Sequence, residues 1–311
     1  MASRISPMLS ALRSSTTLAR PFARRAAAPL VATAVGGGIV YLSVAALEPW
    51  KYQNPFLIHA DSAAHPDFRV DPKSQLPFRV DPETSIEFPI TLSTTTPTPA
   101  LTLVGLGVRK VSFLRIKVYS AGFYVQEGAT RCLHYIPGWS TFTAQHLLTP
   151  PTPSADPLLS PQLSGEALMA NLLDQKVGCA VRIVPNRNTD FGHLRDAFVR
   201  SLNARQKAMH QEGALSEAEE ERLTTSIQSF KAFFPSSVVP KGKSLVLLRP
   251  AEGGIVVEYE GSILGRLDDP WVGKQLMLTY FADNGVVSEK LKEDVAHGLE
   301  GFVQRNRSPP Q

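Results

Sequence analysis

The sequence predicts an α+β domain, a large antiparallel sheet covered on one face by helices. Three features carry that expectation: strand-like runs follow one another, helical periodicities form separate blocks, and the helical blocks open on capping signals. The strand candidates are "IEFPITLS" (86–93), "LVGLGVRKVSFLRIKVYSAGFYV" (103–125), "CAVRIVP" (179–185), "SLVLLRP" (244–250) and "GIVVEYEG" (254–261), all rich in β-branched or aromatic residues. Among the helices, "TDFGHLRDAFVRSLNARQKAM" places Phe191, Leu194, Phe198 and Leu202 on one face. Ser216 and Glu219 form a capping-box pattern ahead of Leu223, Ile227, Phe230 and Phe234. Asp269-Pro270 supplies an N-cap followed by proline at the first helical position, and Asn284-Gly285 a stop. A last helix starts near Ser288 and carries Leu291, Val295, Leu299 and Phe302.

Ahead of this domain the chain is of another character. Residues 1–25 hold Arg4, Arg13, Arg20, Arg24 and Arg25, many Ser and Thr, and no acid, which is the composition of a mitochondrial transit peptide. Removing them leaves 27 basic against 28 acidic groups, so the net charge of +4 belongs to the tail and a nucleic-acid partner is excluded on that ground. Residues 26–47 form a run of 22 without a charge, about the length of a membrane-spanning helix. With arginines on its N-terminal side, a span there predicts an inner mitochondrial membrane protein whose domain faces the intermembrane space. Residues 48–85 contain Phe-Arg-Val-Asp-Pro twice, ten residues apart, and several prolines; they read as an extended tether. The domain then occupies 86–305, with a Pro-rich surface insertion at 147–161 and a short tail at 306–311. Cys132 and Cys179 share no metal-ligand spacing; they are either a pair or two ordinary thiols.

The long strand run raises one question. Val104, Leu106 and Val108 share a parity, Val111 and Phe113 the opposite one, and the switch falls at Arg109-Lys110, which predicts a bulge or bend there. If Val111 and Phe113 face the core, so does Arg109. Its guanidinium then enters an apolar cleft, escapes to solvent at the bulge, or pairs with an internal carboxylate. Beyond the bend, Leu114, Ile116 and Val118 fall on one face with Arg115 and Lys117 on the other.

The blocks "GLGVRKVSFLRIKVYSAGFYV", "VRIVPNRNTDFGHLRDAFVRSL" and "LMLTYFADNGVVSEKLKEDVAHGLEGF" resemble the chalcone-isomerase-like proteins, and among them a fungal mitochondrial branch named for altered inheritance of mitochondria. The resemblance implies an open-faced β-sandwich. It puts Arg109 in the position of the strand arginine that, in plant chalcone isomerases, binds and orients a substrate phenolate, a task suited to a permanent, forked cation. Tyr119 stands where the family's catalytic threonine is expected, and Thr279 is similar to its second active-site hydroxyl. The helix-borne tyrosine has no counterpart, the matching segment offering Phe191. An intramolecular lyase acting on a flavonoid-like substrate through Arg109, Thr279 and Tyr119 is therefore the enzyme alternative.

Two other uses follow from the resemblance. One branch of the family binds fatty acids, with the arginine on the carboxylate. The mitochondrial branch is associated with haem, which implies non-covalent haem held without isomerase activity, with Arg109, Arg182 and Arg187 on the propionates and His193, His134 or His146 as axial ligand. The chain lacks a Cys-x-x-Cys-His motif, which excludes covalent haem. No Gly-x-Gly-x-x-Gly opens a helix, and "GSILG" lacks the nucleophile-elbow pattern.

Overall fold

A computed structural model describes residues 68–72, 76–111, 114–150 and 162–307. The transit-like tail and the uncharged run at 26–47 lie outside them, as does 151–161 of the Pro-rich insertion. The strands are β1 (Phe68–Val70), β2 (Pro77–Val80), β3 (Glu87–Pro89), β4 (Thr91–Leu92), β5 (Leu101–Val111), β6 (Ile116–Gln126), β7 (Cys179–Pro185), β8 (Thr189–Asp190), β9 (Val238–Val239), β10 (Leu245–Arg249), β11 (Ile255–Tyr259) and β12 (Ser262–Leu267). The helices are α1 (Ala144–Leu148), α2 (Gly165–Leu173), α3 (Phe191–Gln211), α4 (Glu217–Lys231), α5 (Pro270–Leu278) and α6 (Glu289–Arg307), with a 3-10 turn at Ala129–Tyr135.

One antiparallel sheet organises the domain, in the order β12-β11-β10-β7-β6-β5-β4. Alternation splits its side chains between two cores. Val181, Ile183, Leu245, Leu247 and Val257 meet the helices, whose stripes Phe191/Leu194/Phe198/Leu202 and Leu291/Val295/Leu299 bury as their spacing requires. Ala180, Val184, Val246, Leu248 and Val256 meet Phe88, Ile90 and Leu92 on the other side. The caps also form: Ser216 and Glu219 make the reciprocal capping box of α4, and Asp269 accepts from Trp271 N–H at the start of α5. Helix α5 stops at Leu278, well short of Asn284-Gly285, because Tyr280 and Phe281 close a tighter turn on Met277 and Leu278 and drop into the core.

The repeated pentapeptide is not extended. Its two copies pair with each other antiparallel, Phe68 opposite Arg79 and Val70 opposite Pro77, and β3 completes a three-stranded meander. In each copy the aspartate N–H closes a turn on the carbonyl five residues on, Asp71 on Leu76 and Asp81 on Ile86. Asp-Pro ends the Phe-Arg-Val strand at the same point in both copies, so a tract rich in proline turns instead of running out. The described part of the segment expected to be a tether is thus part of the folded body.

Helix α6 lies directly on β5. A Cβ on Gly105 would sit 2.5 Å from Val295 N, and one on Gly107 closer still to Leu291 N, so only bare backbone fits at both positions. Two polar contacts fix the register of helix on strand. Asp294 accepts Leu106 N–H at 2.6 Å, and Ser288 Oγ donates to the Val108 carbonyl at 2.9 Å. Asp294 is held in turn by Arg79 at 2.9 and 3.1 Å. Gly107→Ala should cost about 1–3 kcal/mol by forcing backbone apart, lowering Tm by several degrees in calorimetry; an unchanged Tm would contradict the contact.

Both cysteines are buried and free. Burial pushes the Cys179 thiol up to about 11 and raises Cys132 as well. At pH 8 neither should react with Ellman's reagent within minutes in the folded protein, and both should react after denaturation.

Candidate ligand-binding site

The bulge expected at Arg109-Lys110 is present: the β5–β6 register shifts there, leaving Val118 without an opposite residue. A second shift lies between Leu103 and Gly105. Arg109 shares the helix-facing side of β5 with Gly105 and Gly107, but α6 begins only at Glu289, so no helix backbone crosses above it. The guanidinium occupies the space left at that end. Its Nη1 donates to Tyr119 Oη at 3.2 Å, and Cζ lies 5.6 Å from the Tyr119 ring centroid. Tyr119 Oη is 3.4 Å from Tyr280 Oη, and the two tyrosines are 1 % and 0 % exposed.

The electrostatics of this trio are one-sided. Among the described residues no carboxylate approaches Arg109, whose only hydrogen-bond partner is the Tyr119 phenol. Burial opposes the charge and is the largest influence on it, yet the Tyr119 and Tyr280 hydroxyls more than offset it and the guanidinium is held above its ordinary value. Tyr280 is pushed well above 10.0, first by burial and then by Tyr119, with Arg109 only partly opposing. Near neutral pH the site holds one permanent cation beside a neutral Tyr280 phenol.

The other expected site residues are dispersed. Arg182 is on the opposite face of the sheet, donating to Glu87 O at 2.9 Å with its guanidinium over Phe88. One residue of register decides this: Tyr119 opposes Pro185 whereas Arg182 opposes Gly122. Arg187 is exposed in the turn after β7. His193 is bonded to Asp190 at 2.7 Å with 80 % of its side chain in solvent. His146 is spent in the cap of α1, accepting Thr143 N–H. His134 lies in the 3-10 turn that α6 reaches through Asn306 and Thr130. That turn lies at the C-terminal end of α6, whereas Gly107, two residues from Arg109, meets Leu291 near its N-terminal end. Thr279 Oγ1 donates to Leu276 O at 2.6 Å within its own helix, so its neighbour Tyr280 is the hydroxyl beside Tyr119. A haem held by these arginines with one of these histidines as axial ligand does not fit the arrangement.

An antiparallel sheet with helices on one side, carrying an arginine-tyrosine cluster at one end of its long hairpin, sets the class of α+β domain to which the chain belongs. The profile of that class, chalcone isomerase like, matches residues 99–296, and the chain belongs to the chalcone isomerase-like family. Altered inheritance of mitochondria protein 18, mitochondrial, of Debaryomyces hansenii is 31 % identical over 210 residues, covering 64 % of this chain and 66 % of that one. The protein of the same name from Lachancea thermotolerans is 30 % identical over 226 residues, covering 69 % and 70 %. The chain thus spans about two thirds of the length of these relatives. The crystal structure of an Arabidopsis thaliana fatty-acid binding protein shares the fold with TM-score 0.52 at 18 % identity, covering 73 % of this chain and 99 % of that one. The relatives are named as mitochondrial, in line with the Arg-rich N-terminus, and this is a mitochondrial member of the family. Among the described residues no helix is long and apolar enough to cross a membrane.

Because the folded state favours neutral Tyr280, its contribution to stability is complete below the ordinary pKa of 10.0 and is lost as pH rises beyond it. Denaturant titrations should show stability falling above pH 10, and Tyr280→Phe should flatten that fall; an equally steep fall in the variant would contradict the burial of the hydroxyl.

Proposed function

We propose that the chain binds an apolar carboxylic acid of the fatty-acid class, with Arg109 on the carboxylate and the Tyr119 and Tyr280 hydroxyls beside it. One observation carries the reading: a half-buried guanidinium whose only described hydrogen-bond partner is a phenol. Leaving a cation partly desolvated without a counter-charge is unfavourable, and an anionic guest removes that cost. The unused guanidinium donors can fork onto two carboxylate oxygens. The fatty-acid binding protein of the same fold supports the choice of guest.

A second reading, an intramolecular lyase, draws on the same trio, since a cation beside two hydroxyls also suits a phenolate substrate. Haem, an apolar molecule with two carboxylates, is a third guest of compatible charge, without a described histidine placed to ligate it. An inner-membrane location with the domain in the intermembrane space remains part of the proposal, motivated by the uncharged run at 26–47 and the arginines before it.

Organic extracts of the purified protein should contain acyl chains by mass spectrometry. Arg109→Gln should weaken fatty-acid binding about 10- to 100-fold, as expected for losing a charged hydrogen bond. Equal binding by the variant would remove the proposal. A Soret band on the purified protein would transfer the site to haem, and chalcone cyclisation abolished by Arg109→Gln would transfer it to the lyase.

A further inference from the structure

The tip of the β5–β6 hairpin departs from the alternation its sequence suggests. Leu114 and Ile116 have the parity of a buried face, yet they are 66 % and 36 % exposed. Arg115 turns with φ 49°, and Arg115 and Lys117 are also exposed. The hairpin outruns the helices that would have covered it.

Charge gathers at the same place. Glu83, in the turn between β2 and β3, is shared by Lys110 at 2.6 Å and Lys117 at 3.6 Å. Lys290, at the start of α6, lies within electrostatic reach of Glu83 and Arg115 and pairs with Glu293. Lys110, Lys117 and Lys290 thus each have a carboxylate nearby, whereas Arg115 has no ion-pair partner among the described residues. Exposed Leu and Ile between Arg and Lys is the composition of a surface that enters a bilayer interface, apolar groups inserted and cations on lipid headgroups.

The position of the hairpin relative to the start of β1, together with the sequence ahead of it, favours a membrane over a protein partner. Phe68 opposes Arg79 and Val70 opposes Pro77, so β1 begins at the end of the meander nearest Val80 and Asp81. That is the side where the turn bearing Glu83 touches the hairpin tip. The upstream sequence includes the 22 uncharged residues at 26–47, separated from Phe68 by 20 residues, which at full extension span roughly 70 Å.

We infer that the tip formed by Leu114, Arg115, Ile116 and Lys117 docks on an anionic lipid bilayer. The docking does not need the ligand reading. Its consequence does: Arg109, at the root of the same hairpin, would be brought toward the layer into which apolar carboxylates partition.

The test uses the full chain with Leu114→Cys carrying an environment-sensitive nitrobenzoxadiazole label, the native cysteines being buried. The protein is reconstituted in phosphatidylcholine vesicles with and without phosphatidylserine, and a label at Ile263→Cys, an exposed apolar residue on β12, serves as comparison. Emission at 114 should shift to the blue on anionic vesicles only, reverse with added salt, and leave 263 unchanged. Arg115→Glu with Lys117→Glu should lower the docked fraction by at least about fivefold for each charge. If that double variant does not fold, the salt titration of the labelled protein alone decides. Equal emission at 114 and 263, or a blue shift indifferent to salt and lipid charge, overturns the inference, and so does a blue shift without vesicles, which would mean a protein contact. Fatty-acid binding, measured separately through Arg109→Gln, stands or falls independently.

Discussion

The backbone contact between β5 and α6 is the constraint on which the rest depends. Among the described residues, β4 pairs only with Leu101 and Thr102 of β5 and Leu103 N–H reaches the Ile90 carbonyl, so β5 has no strand partner on that edge from Val104 onward. Bare edges invite pairing with other chains. Here the helix closes it: Asp294 takes the Leu106 N–H and Ser288 takes the Val108 carbonyl. Both bonds require α6 within reach of the strand backbone, which Gly105 and Gly107 on the strand and Gly298 on the helix permit. Arg79, from the second copy of the N-terminal repeat, then holds Asp294. Three segments distant in sequence therefore converge on one strand edge, and the register of α6 sets where its cover stops.

Where it stops, Arg109 begins, and the other arginines withdrawn from solvent in the sheets differ from it. Arg79 has the carboxylate of Asp294, Arg249 donates to the carbonyls of Val177 and Leu173, and Arg182 has the Glu87 carbonyl and the Phe88 ring. Each of these contacts ties two parts of the fold together. Arg109 ties a strand only to its immediate neighbour, through a phenol. A cation that contributes so little to the architecture and is still kept from full solvation is the feature on which the proposed anionic guest rests.

Periodicity revealed the domain because each helix buries one face and each strand alternates. The same rule revealed the parity switch at Arg109, since a bulge leaves a local signature. It did not reveal Tyr280. Position 279 and position 280 differ by about 100° around a helix, and whether α5 continued or tightened after Leu278 decided which side chain reached Tyr119. Arg182 failed for a similar reason, one residue of register sending it through the sheet to the other side. The repeat at 68–82 was visible as a repeat, but prolines alone do not separate an extended linker from a meander; the return pairing of its two copies is a long-range fact.

The chemistry open to the site follows from what surrounds the cation. Tyr280 is raised far above neutrality, and the described histidines lie elsewhere, so near neutral pH neither they nor Tyr280 can take a proton beside Arg109. Such a cluster can hold an anion, orient it and lend a hydrogen bond to developing charge. Among the described residues, Tyr280 and the histidines are not placed to generate that anion from a neutral precursor. A guest must arrive already ionised, as a carboxylate does near neutral pH and as an acidic phenol does only in part. That condition suits the proposed carboxylate guest near neutral pH and leaves the lyase reading to phenols acidic enough to ionise by themselves.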